Sequence, residues 1–284
     1  MPSHRGELIL ATVEKQISLV IPAWNEQDYL PRLLQSVAIA CAAYRGGSER
    51  IEVIVADNGS TDATAQIAHA AGCLVVSVER RCIAAARNGG AARASGRIIA
   101  FADADFRIDP ETFNYIDAIM SHDEVVGGAT GMTMERWSLG IRTTWWLVAP
   151  LIWMMGLDAG VWFCRRSDFE LTGRFDESLR AAEDLKWLLA LRRLGRKRRP
   201  RARTVTCHSA RRYGLRPALA INSVRKFDKH GDWHFLRHML LNAPRLLYAR
   251  KLVDDHIENY WYQDRASKEP LTGEASVIDH PESP

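Results

Sequence analysis

The first hundred residues alternate between short apolar runs and stretches with helical spacing, and this alternation constrains the fold more than any other feature. Four runs have the length and composition of buried strands, and they are 17–21, 51–56, 74–78 and 98–102. The stretches between them that read as helices are 28–43, 61–71 and 82–95. Repeated strand–helix–strand units form a mainly parallel sheet with right-handed crossovers. The sequence therefore predicts an α/β fold, a doubly wound sheet with helices on both faces.

The second half of the chain is less regular. It contains two further strand-like runs, 160–164 and 204–208, and a helical segment over 182–194 that Gly195 is expected to end. From 217 to about 262 the apolar spacing is again helical, and the polar residues beyond it have no periodicity. We expect three parts along the chain: a domain over 1–210, a C-terminal helical extension over 211–265, and a flexible tail over 266–284.

Polar side chains cluster where the four predicted strands end. They are Asn25 and Glu26, Asp57, Arg80 and Arg81, and Asp103 to Asp105. Ligands of open α/β sheets bind beyond the carboxyl ends of the strands, so this edge is the expected binding site. The dinucleotide fingerprint GxGxxG does not follow the first strand, which argues against a dinucleotide-binding protein.

The segment Asp103-Ala104-Asp105 is the sharpest local motif. In extended chain, residues two apart point the same way, so its two carboxylates can share one hard divalent cation. Mg²⁺ or Mn²⁺ held there could in turn bind a diphosphate. Most such pairs are solvated loop acids, but this pair directly follows an apolar strand, which favours the metal-binding interpretation.

Four segments in order resemble the family 2 glycosyltransferases, and together they cover roughly Ile17 to His208. They read ISLVIPAWNEQDYLPRLLQSV, EVIVADNGSTDATAQIA, RRCIAAARNGGAARASGRIIAFADAD and GRFDESLRAAEDLKWLLALRRLGRK. The resemblance is to the group that includes dolichol-phosphate-mannose-synthase-like and bacterial cell-surface glycan enzymes. It implies a GT-A fold, with a nucleotide-binding half at about 15–106 and an acceptor half at about 107–210. It also implies an inverting, metal-dependent transfer from a nucleoside-diphosphate sugar, of UDP or GDP type, to a glycan or lipid-linked acceptor.

Nucleotide contacts are assigned by this resemblance, residue by residue. The assigned positions are Pro22, Ala23, Asn25, Glu26, Asp57, Arg81, Arg87, Asn88, Asp103 and Ala104. Glu26 would contact the ribose or base, and Asp57 would accept a hydrogen bond from the base. Each also has a structural explanation, because Glu26 suits the start of a helix and Asp57 suits a turn with Asn58-Gly59.

The pair Glu183-Asp184 resembles the catalytic acids of the family. Asp184 is the expected general base, and Glu183 is the alternative. Taken alone, two acids in a first helical turn are explained by the helix dipole. Asp103 and Asp105 are the expected metal ligands, and His208 either completes the metal shell or is a hydrogen-bonded residue at a strand end. Contacts with the diphosphate or acceptor are assigned to Arg211, Arg212 and Trp162.

Two segments bear on a membrane partner. The run 192–203 is rich in Arg and contains no acid, which is typical of a solvated basic face or of a surface that attracts anionic lipid. Aromatic residues do not interleave it, so no nucleic-acid partner is expected. Within the tryptophan-rich segment 137–157, the uncharged run 143–157 is too short to span a bilayer and contains Pro150. The segment predicts an in-plane interfacial helix, or a buried core or dimer helix. We expect a cytoplasmic protein, peripheral at the inner face of the plasma membrane, with a lipid-linked acceptor.

Other classes of protein stay open at this point. The five cysteines form no CxxC pair, so neither a zinc site nor a disulfide framework is expected. A sugar nucleotidyltransferase would carry a Gly-rich basic loop after the first strand, where this chain has PAWNEQ. A non-catalytic module that binds nucleotide sugars or membranes is a further alternative, although the acids at Asp103, Asp105 and Asp184 are intact.

Overall fold

A parallel sheet forms the first half of the protein. The computed structural model describes residues 13–154, 158–179, 182–199 and 201–237. The first elements are β1 (Ile17–Ala23), α1 (Leu30–Ala43), a 3₁₀ turn (Ser48–Arg50), β2 (Ile51–Asp57), α2 (Thr64–Ala70), β3 (Leu74–Ser77), α3 (Ile83–Arg93) and β4 (Ile98–Phe101). β1 pairs in parallel with β2 and β4, and β2 pairs in parallel with β3. The alternation of the sequence therefore predicted these elements correctly.

The second half extends this sheet and adds a smaller one. Its elements are β5 (Phe106–Arg107), α4 (Thr112–Met120), β6 (Val125–Ala129), β7 (Met132–Met134), α5 (Leu139–Met154), β8 (Trp162–Arg165), α6 (Arg166–Leu171), α7 (Glu183–Arg198), β9 (Arg203–Val205), a 3₁₀ turn (Ser209–Tyr213), β10 (Ala220–Asn222) and α8 (Arg225–His230). The large sheet has the order β3-β2-β1-β4-β8-β6-β9, with β8 antiparallel to both neighbours. The small sheet has the order β5-β10-β7.

The core lies on both faces of the large sheet. Leu19 and Val20 are adjacent in β1 and both fully buried, but they belong to two different apolar clusters. Adjacent strand residues point to opposite faces, and helices cover both. α1 and α4 pack on one face, and α3 and α7 pack on the other. The predicted doubly wound α/β fold is confirmed, and burial on both sides explains why the strands are continuous apolar runs.

Gly195 does not end its helix, contrary to the sequence-based expectation. α7 continues to Arg198, and Gly195 is buried inside it. A Cβ atom at Gly195 would lie 2.8 Å from Cγ1 of Val126 in β6. The glycine therefore allows close packing of the helix on the sheet, a role that the sequence pattern could not distinguish from a helix stop. Pro150 likewise lies inside α5 and does not interrupt it.

Residues 211–237 are part of the fold. The sequence predicted helix from 217 onward, but Ala220–Asn222 is the strand β10, which pairs with β5 and β7. The helical prediction was therefore wrong for these residues, because a three-residue strand held by two distant partners has no local signature. Expectations for 238–265 and for the tail 266–284 lie outside the described residues.

Candidate active site

The loops after β1 and β2 are tied to each other at the carboxyl edge of the large sheet. Asn25 has a φ of 52°, in the left-handed region that Asn tolerates better than most residues. Its Oδ1 accepts the Thr61 N–H at 2.8 Å, and its own N–H donates to Oγ of Ser60 at 3.0 Å. Asp57 caps the same turn by accepting the Ser60 N–H at 3.2 Å. Asn25 and Asp57 thus order the two loops at this edge.

Asn58 is a residue of this edge that sequence reasoning treated only as part of a turn. Its buried amide donates to the carbonyl oxygens of Val78 and Arg80, at 2.9 and 2.7 Å. Its Oδ1 accepts the Cys82 N–H at 3.0 Å. These bonds fix the loop after β3 and thereby Arg81, which is exposed and lies 4.9 Å from the Trp24 ring centroid.

A buried arginine joins the two acidic motifs. The side chain of Arg87 on α3 is only 2% exposed. It donates from Nη2 to Oδ1 of Asp103 at 2.8 Å and from Nη1 to Oε1 of Glu183 at 2.6 Å. Its guanidinium lies 4.8 Å from the Trp162 ring centroid and 5.3 Å from that of Phe175. The structure therefore places Arg87 between carboxylates and not on a surface open to a nucleotide.

In this network, burial and the neighbouring charges shift the pKa values of Arg87 and Glu183 in opposite directions. Burial alone would lower the pKa of Arg87, but the carboxylates of Asp103 and Glu183 raise it above its ordinary value. Burial raises the pKa of Glu183, and the positive charge of Arg87 partly counteracts that rise. A buried ion pair of this kind stays charged only while both partners are present.

The two acids that begin α7, Glu183 and Asp184, lie in different environments. Ala182 precedes it in the left-handed conformation, with a φ of 58°. Glu183 is buried on Arg87, whereas Asp184 is half-buried and accepts the N–H of Leu185 at 2.7 Å. Of the two carboxylates, Asp184 is therefore the one more open to an acceptor.

Two further residues, Asn88 and Trp162, lie next to Arg87. The amide of Asn88 donates to the Phe175 carbonyl and to Oε1 of Glu177, both at 2.9 Å, and its Oδ1 accepts the Phe175 N–H at 3.0 Å. Trp162 is buried with its ring against Arg87, and its indole N–H donates to the Asp158 carbonyl at 3.3 Å. Asn88 thus holds the loop that contains Phe175 and Glu177, and Trp162 packs on Arg87. The ligand contacts assigned to these two residues stay predictions.

A second arginine, Arg225, pairs with two further acids of the site. It was not identified from the sequence. Arg225 donates from Nη1 to Oε2 of Glu26 at 2.7 Å and from Nη2 to Oε1 of Glu26 at 3.0 Å. Its Nη2 also lies 3.0 Å from Oδ2 of Asp105. The Glu26 carboxylate is thus buried under Arg225 and 199 residues away from it in sequence, a pairing with no local signal.

The donor atoms at Asp103 and Asp105 suit a hard divalent cation, since both offer carboxylate oxygens. Within the described ranges, however, no group of three or more His, Cys, Asp or Glu residues is placed to hold a metal ion. His208 does not join the two aspartates, because its ring packs on Trp153 with 4.1 Å between centroids.

The other assigned residues differ in their access to ligand. Pro22 and Ala23 are buried at the end of β1, and Ala104 is buried between the two aspartates. Arg211 and Arg212 are exposed in the 3₁₀ turn Ser209–Tyr213.

The mostly parallel sheet covered by helices on both faces has the GT-A class of fold. Residues 1–349 of TarS from S. aureus, solved in complex with UDP, have the same fold with a TM-score of 0.54 and 22% identity, over 86% of this chain and 69% of that one. A family model described as glycosyl transferase family 2 matches residues 18–154. Residues 18–154, a little under half of the chain, therefore belong to glycosyl transferase family 2.

Two further relatives are informative about ligands. The mannosyltransferase from Pyrobaculum calidifontis, solved with GDP-Man and Mn²⁺, has a TM-score of 0.55 and 17% identity over 75% of this chain and 58% of that one. The undecaprenyl-phosphate 4-deoxy-4-formamido-L-arabinose transferase of Klebsiella pneumoniae (strain 342) is 36% identical over 108 residues. That match covers 34% of this chain, and the chain spans only 31% of the length of this curated relative.

Proposed function

We propose that this protein transfers a sugar, with inversion, from a nucleoside-diphosphate sugar of UDP or GDP type to an acceptor hydroxyl or phosphate. The observation that carries the proposal is the bridge of Arg87 from Asp103 to Glu183. It puts the motif that would hold the donor diphosphate next to the acid pair that would serve the acceptor. Relatives solved with UDP, or with GDP-Man and Mn²⁺, support a donor of this kind.

Each part of the edge has a distinct role in this reaction. A Mg²⁺ or Mn²⁺ ion bound at Asp103 and Asp105 would neutralise the charge of the departing diphosphate. The carboxylate of Asp184 removes the proton of an attacking hydroxyl, on the face opposite the leaving group. Glu183, held by Arg87, fixes the first turn of α7 and therefore the direction of Asp184.

The proposed donor site predicts a thermal shift. Saturation with the correct nucleoside diphosphate and Mn²⁺, at about 100 times the dissociation constant, should stabilise the native state by about 2.7 kcal/mol. For a domain of this size that is a rise in melting temperature of roughly 5–10 °C. Differential scanning fluorimetry with a panel of nucleoside diphosphates, with and without Mn²⁺, measures the shift and identifies the base.

An Asp105→Ala variant tests the metal assignment in the same assay. The Mn²⁺-dependent part of the shift should disappear, because one of the two carboxylates is gone. Asp123→Ala is the matched control, since Asp123 is a highly exposed acid at the other edge of the sheet, paired with Arg199. A wild-type protein that no nucleotide stabilises, or an Asp105→Ala protein that keeps its full shift, would contradict the proposal.

A lipid-linked acceptor is the second part of the proposal, and it is supported by the surface of α5. Four large apolar side chains of this helix face solvent: Leu139 is 73% exposed, Trp146 79%, Leu147 54% and Met154 83%. Trp137, Trp145 and Trp153 form a row of edge-to-face contacts beside them. Amphipathic rings and exposed aliphatics of this kind suit a bilayer interface. The curated relative named above acts, by its name, on undecaprenyl phosphate.

Two arginines of the basic run, Arg198 and Arg199, lie away from the metal-binding motif. Arg198 pairs with Asp168, and Arg199 pairs with Asp123. Asp168 follows the end of β8 that pairs with Ile98, so these arginines lie at the edge of the sheet opposite Asp103. Within the described part of the chain, none of the helices combines the length and apolar character needed to cross a bilayer.

The double change Trp146→Glu with Leu147→Glu should remove binding to lipid. We expect the wild-type protein to float with anionic liposomes at low salt, and the double variant to stay at the bottom of the gradient, because two charges replace inserted apolar groups. Leu171→Glu on α6 is the control, since Leu171 is also well exposed but lies outside α5. A wild-type protein absent from the lipid fraction would contradict the lipid-linked acceptor.

A further inference from the structure

Arg225 is the residue of the candidate site that no motif explains. It follows β10, whose Asn222 pairs in the small sheet with Phe106 of β5. Phe106 is the residue directly after Asp105, so this strand pairing carries Arg225 to the metal-binding motif. The side chain is mostly buried, and its guanidinium lies 4.7 Å from the ring centroid of Tyr29. The C-terminal segment thus delivers one positive charge to the donor site.

The two carboxylates that hold Arg225 are not equivalent. Glu26 is 2% exposed and accepts both guanidinium branches, Nη1 and Nη2, in a bidentate pair. Bidentate arginine–carboxylate pairs are strong and directional. Asp105 is more exposed and shares only Nη2, which Glu26 Oε1 also accepts. Glu26 is therefore the anchor of Arg225, and Asp105 is the partner that can be exchanged.

A divalent cation and Nη2 of Arg225 compete for the same carboxylate. Both are positive, and like charges a few ångströms apart repel strongly in a partly buried site. Cation binding at Asp105 therefore requires the guanidinium branch to leave Oδ2. Nη2 then keeps Oε1 of Glu26 as an acceptor but loses Oδ2 of Asp105, and a partly buried N–H that loses its acceptor is destabilising. The diphosphate that accompanies the cation is an acceptor of the right charge.

We propose that Arg225 is an exchangeable counter-ion of the donor site, which neutralises Asp105 when the site is empty and donates to the donor diphosphate once a divalent cation takes Asp105. Glu26 holds the guanidinium in both states. This role rests on the proposed function, and it makes cation and diphosphate binding mutually dependent. Without the diphosphate, the cation binds weakly because Arg225 is paired with Asp105. The diphosphate can accept hydrogen bonds from Arg225 only after the cation has displaced Arg225 from Asp105.

The test measures Mn²⁺ and nucleotide binding separately, in the absence of turnover. Binding of Mn²⁺ alone is followed by the electron paramagnetic resonance signal of the free ion, and binding of UDP or GDP at saturating Mn²⁺ is followed by calorimetry. In Arg225→Gln, Mn²⁺ alone should bind about tenfold more tightly, and the nucleoside diphosphate about tenfold more weakly. Such opposite shifts would not follow from a general loosening of the site.

Two further variants make the result decisive. Arg136→Gln is the matched control, because Arg136 binds Asp228 and Asp232 of the same C-terminal segment in exposed pairs. It should leave both affinities unchanged. The double variant Glu26→Gln with Arg225→Gln leaves no unpaired buried carboxylate, and it should show the same opposite shifts if Arg225→Gln alone folds poorly.

The outcomes separate the two proposals. If the wild-type protein binds no nucleoside diphosphate in the presence of Mn²⁺, the proposed function and the exchange are both overturned. If the wild-type protein binds both ligands but Arg225→Gln and the double variant match it, the exchange alone is overturned. Weaker Mn²⁺ binding by the variants would also overturn it, since Arg225 would then be supporting the cation instead of competing with it.

Discussion

Replacing Asp184 by asparagine is expected to slow transfer to a hydroxyl acceptor by about 10²–10⁴-fold, the usual contribution of a general base. Asparagine has nearly the same shape but cannot accept the proton. Donor affinity should be unchanged, because the ion pairs that order the site run through Glu183, Arg87 and Asp103 and not through Asp184. Its contact with the N–H of Leu185 can be kept by the amide oxygen.

Transfer from a radiolabelled donor and calorimetric binding of the nucleoside diphosphate check the two halves of this result. Asp176→Asn is the control, since Asp176 is a half-buried acid in the loop before α7 that pairs with Lys186. It should transfer sugar at the wild-type rate. Transfer by Asp184→Asn at a near-normal rate would overturn the choice of base, and would favour an acceptor such as a phosphate that attacks already ionised.

Much of this site could be predicted from sequence because its scaffold is local. Each strand of the parallel sheet is one short apolar run, and the polar residues that follow it are adjacent in sequence. The carboxyl ends of parallel strands meet at one edge, so the sequence alone is enough to place Asn25, Asp57 and Asp103 together.

The parts that could not be predicted are the pairings between distant segments. Arg87 appears in sequence as one polar residue in an alanine-rich helix, and only the fold shows that it pairs with Asp103 and with the buried Glu183. Arg225 pairs with Glu26 across 199 residues, from a segment whose apolar spacing looked helical. Such contacts depend on which elements the chain brings together, and composition and periodicity carry no information about that.

The fold also changes the interpretation of Arg87, which lies in the sequence Ala86-Arg87-Asn88 of α3. The resemblance assigned Arg87 to the nucleotide, but its guanidinium is enclosed by Asp103, Glu183 and two aromatic rings. Its effect on a ligand would then be indirect, through the position of the two motifs. A residue with this role should affect the stability of the fold as well as activity, which gives a measurement independent of any substrate.

Arg87→Met is expected to reduce the free energy of unfolding by about 3–5 kcal/mol, because it leaves the buried Glu183 without its cation. Methionine fills most of the volume, so the loss reports charge and hydrogen bonding more than a cavity. Without Arg87, nothing in this pair counteracts the rise in the pKa of Glu183 that burial causes. Adding Glu183→Gln should therefore restore part of the stability, since the double variant has no unpaired charge to bury.

Urea unfolding followed by circular dichroism measures these differences, with Arg80→Met as the comparison. Arg80 also pairs with a glutamate, Glu177, but Arg80 is 62% exposed and Glu177 33%. An exposed pair contributes about 0–1 kcal/mol, so Arg80→Met should be nearly neutral. If Arg87→Met were no more destabilising than Arg80→Met, Arg87 would not be holding the two acidic motifs together. If Arg87→Met were destabilising but adding Glu183→Gln restored no stability, the lost stability would come from the contacts of Arg87 with Asp103, Trp162 and Phe175.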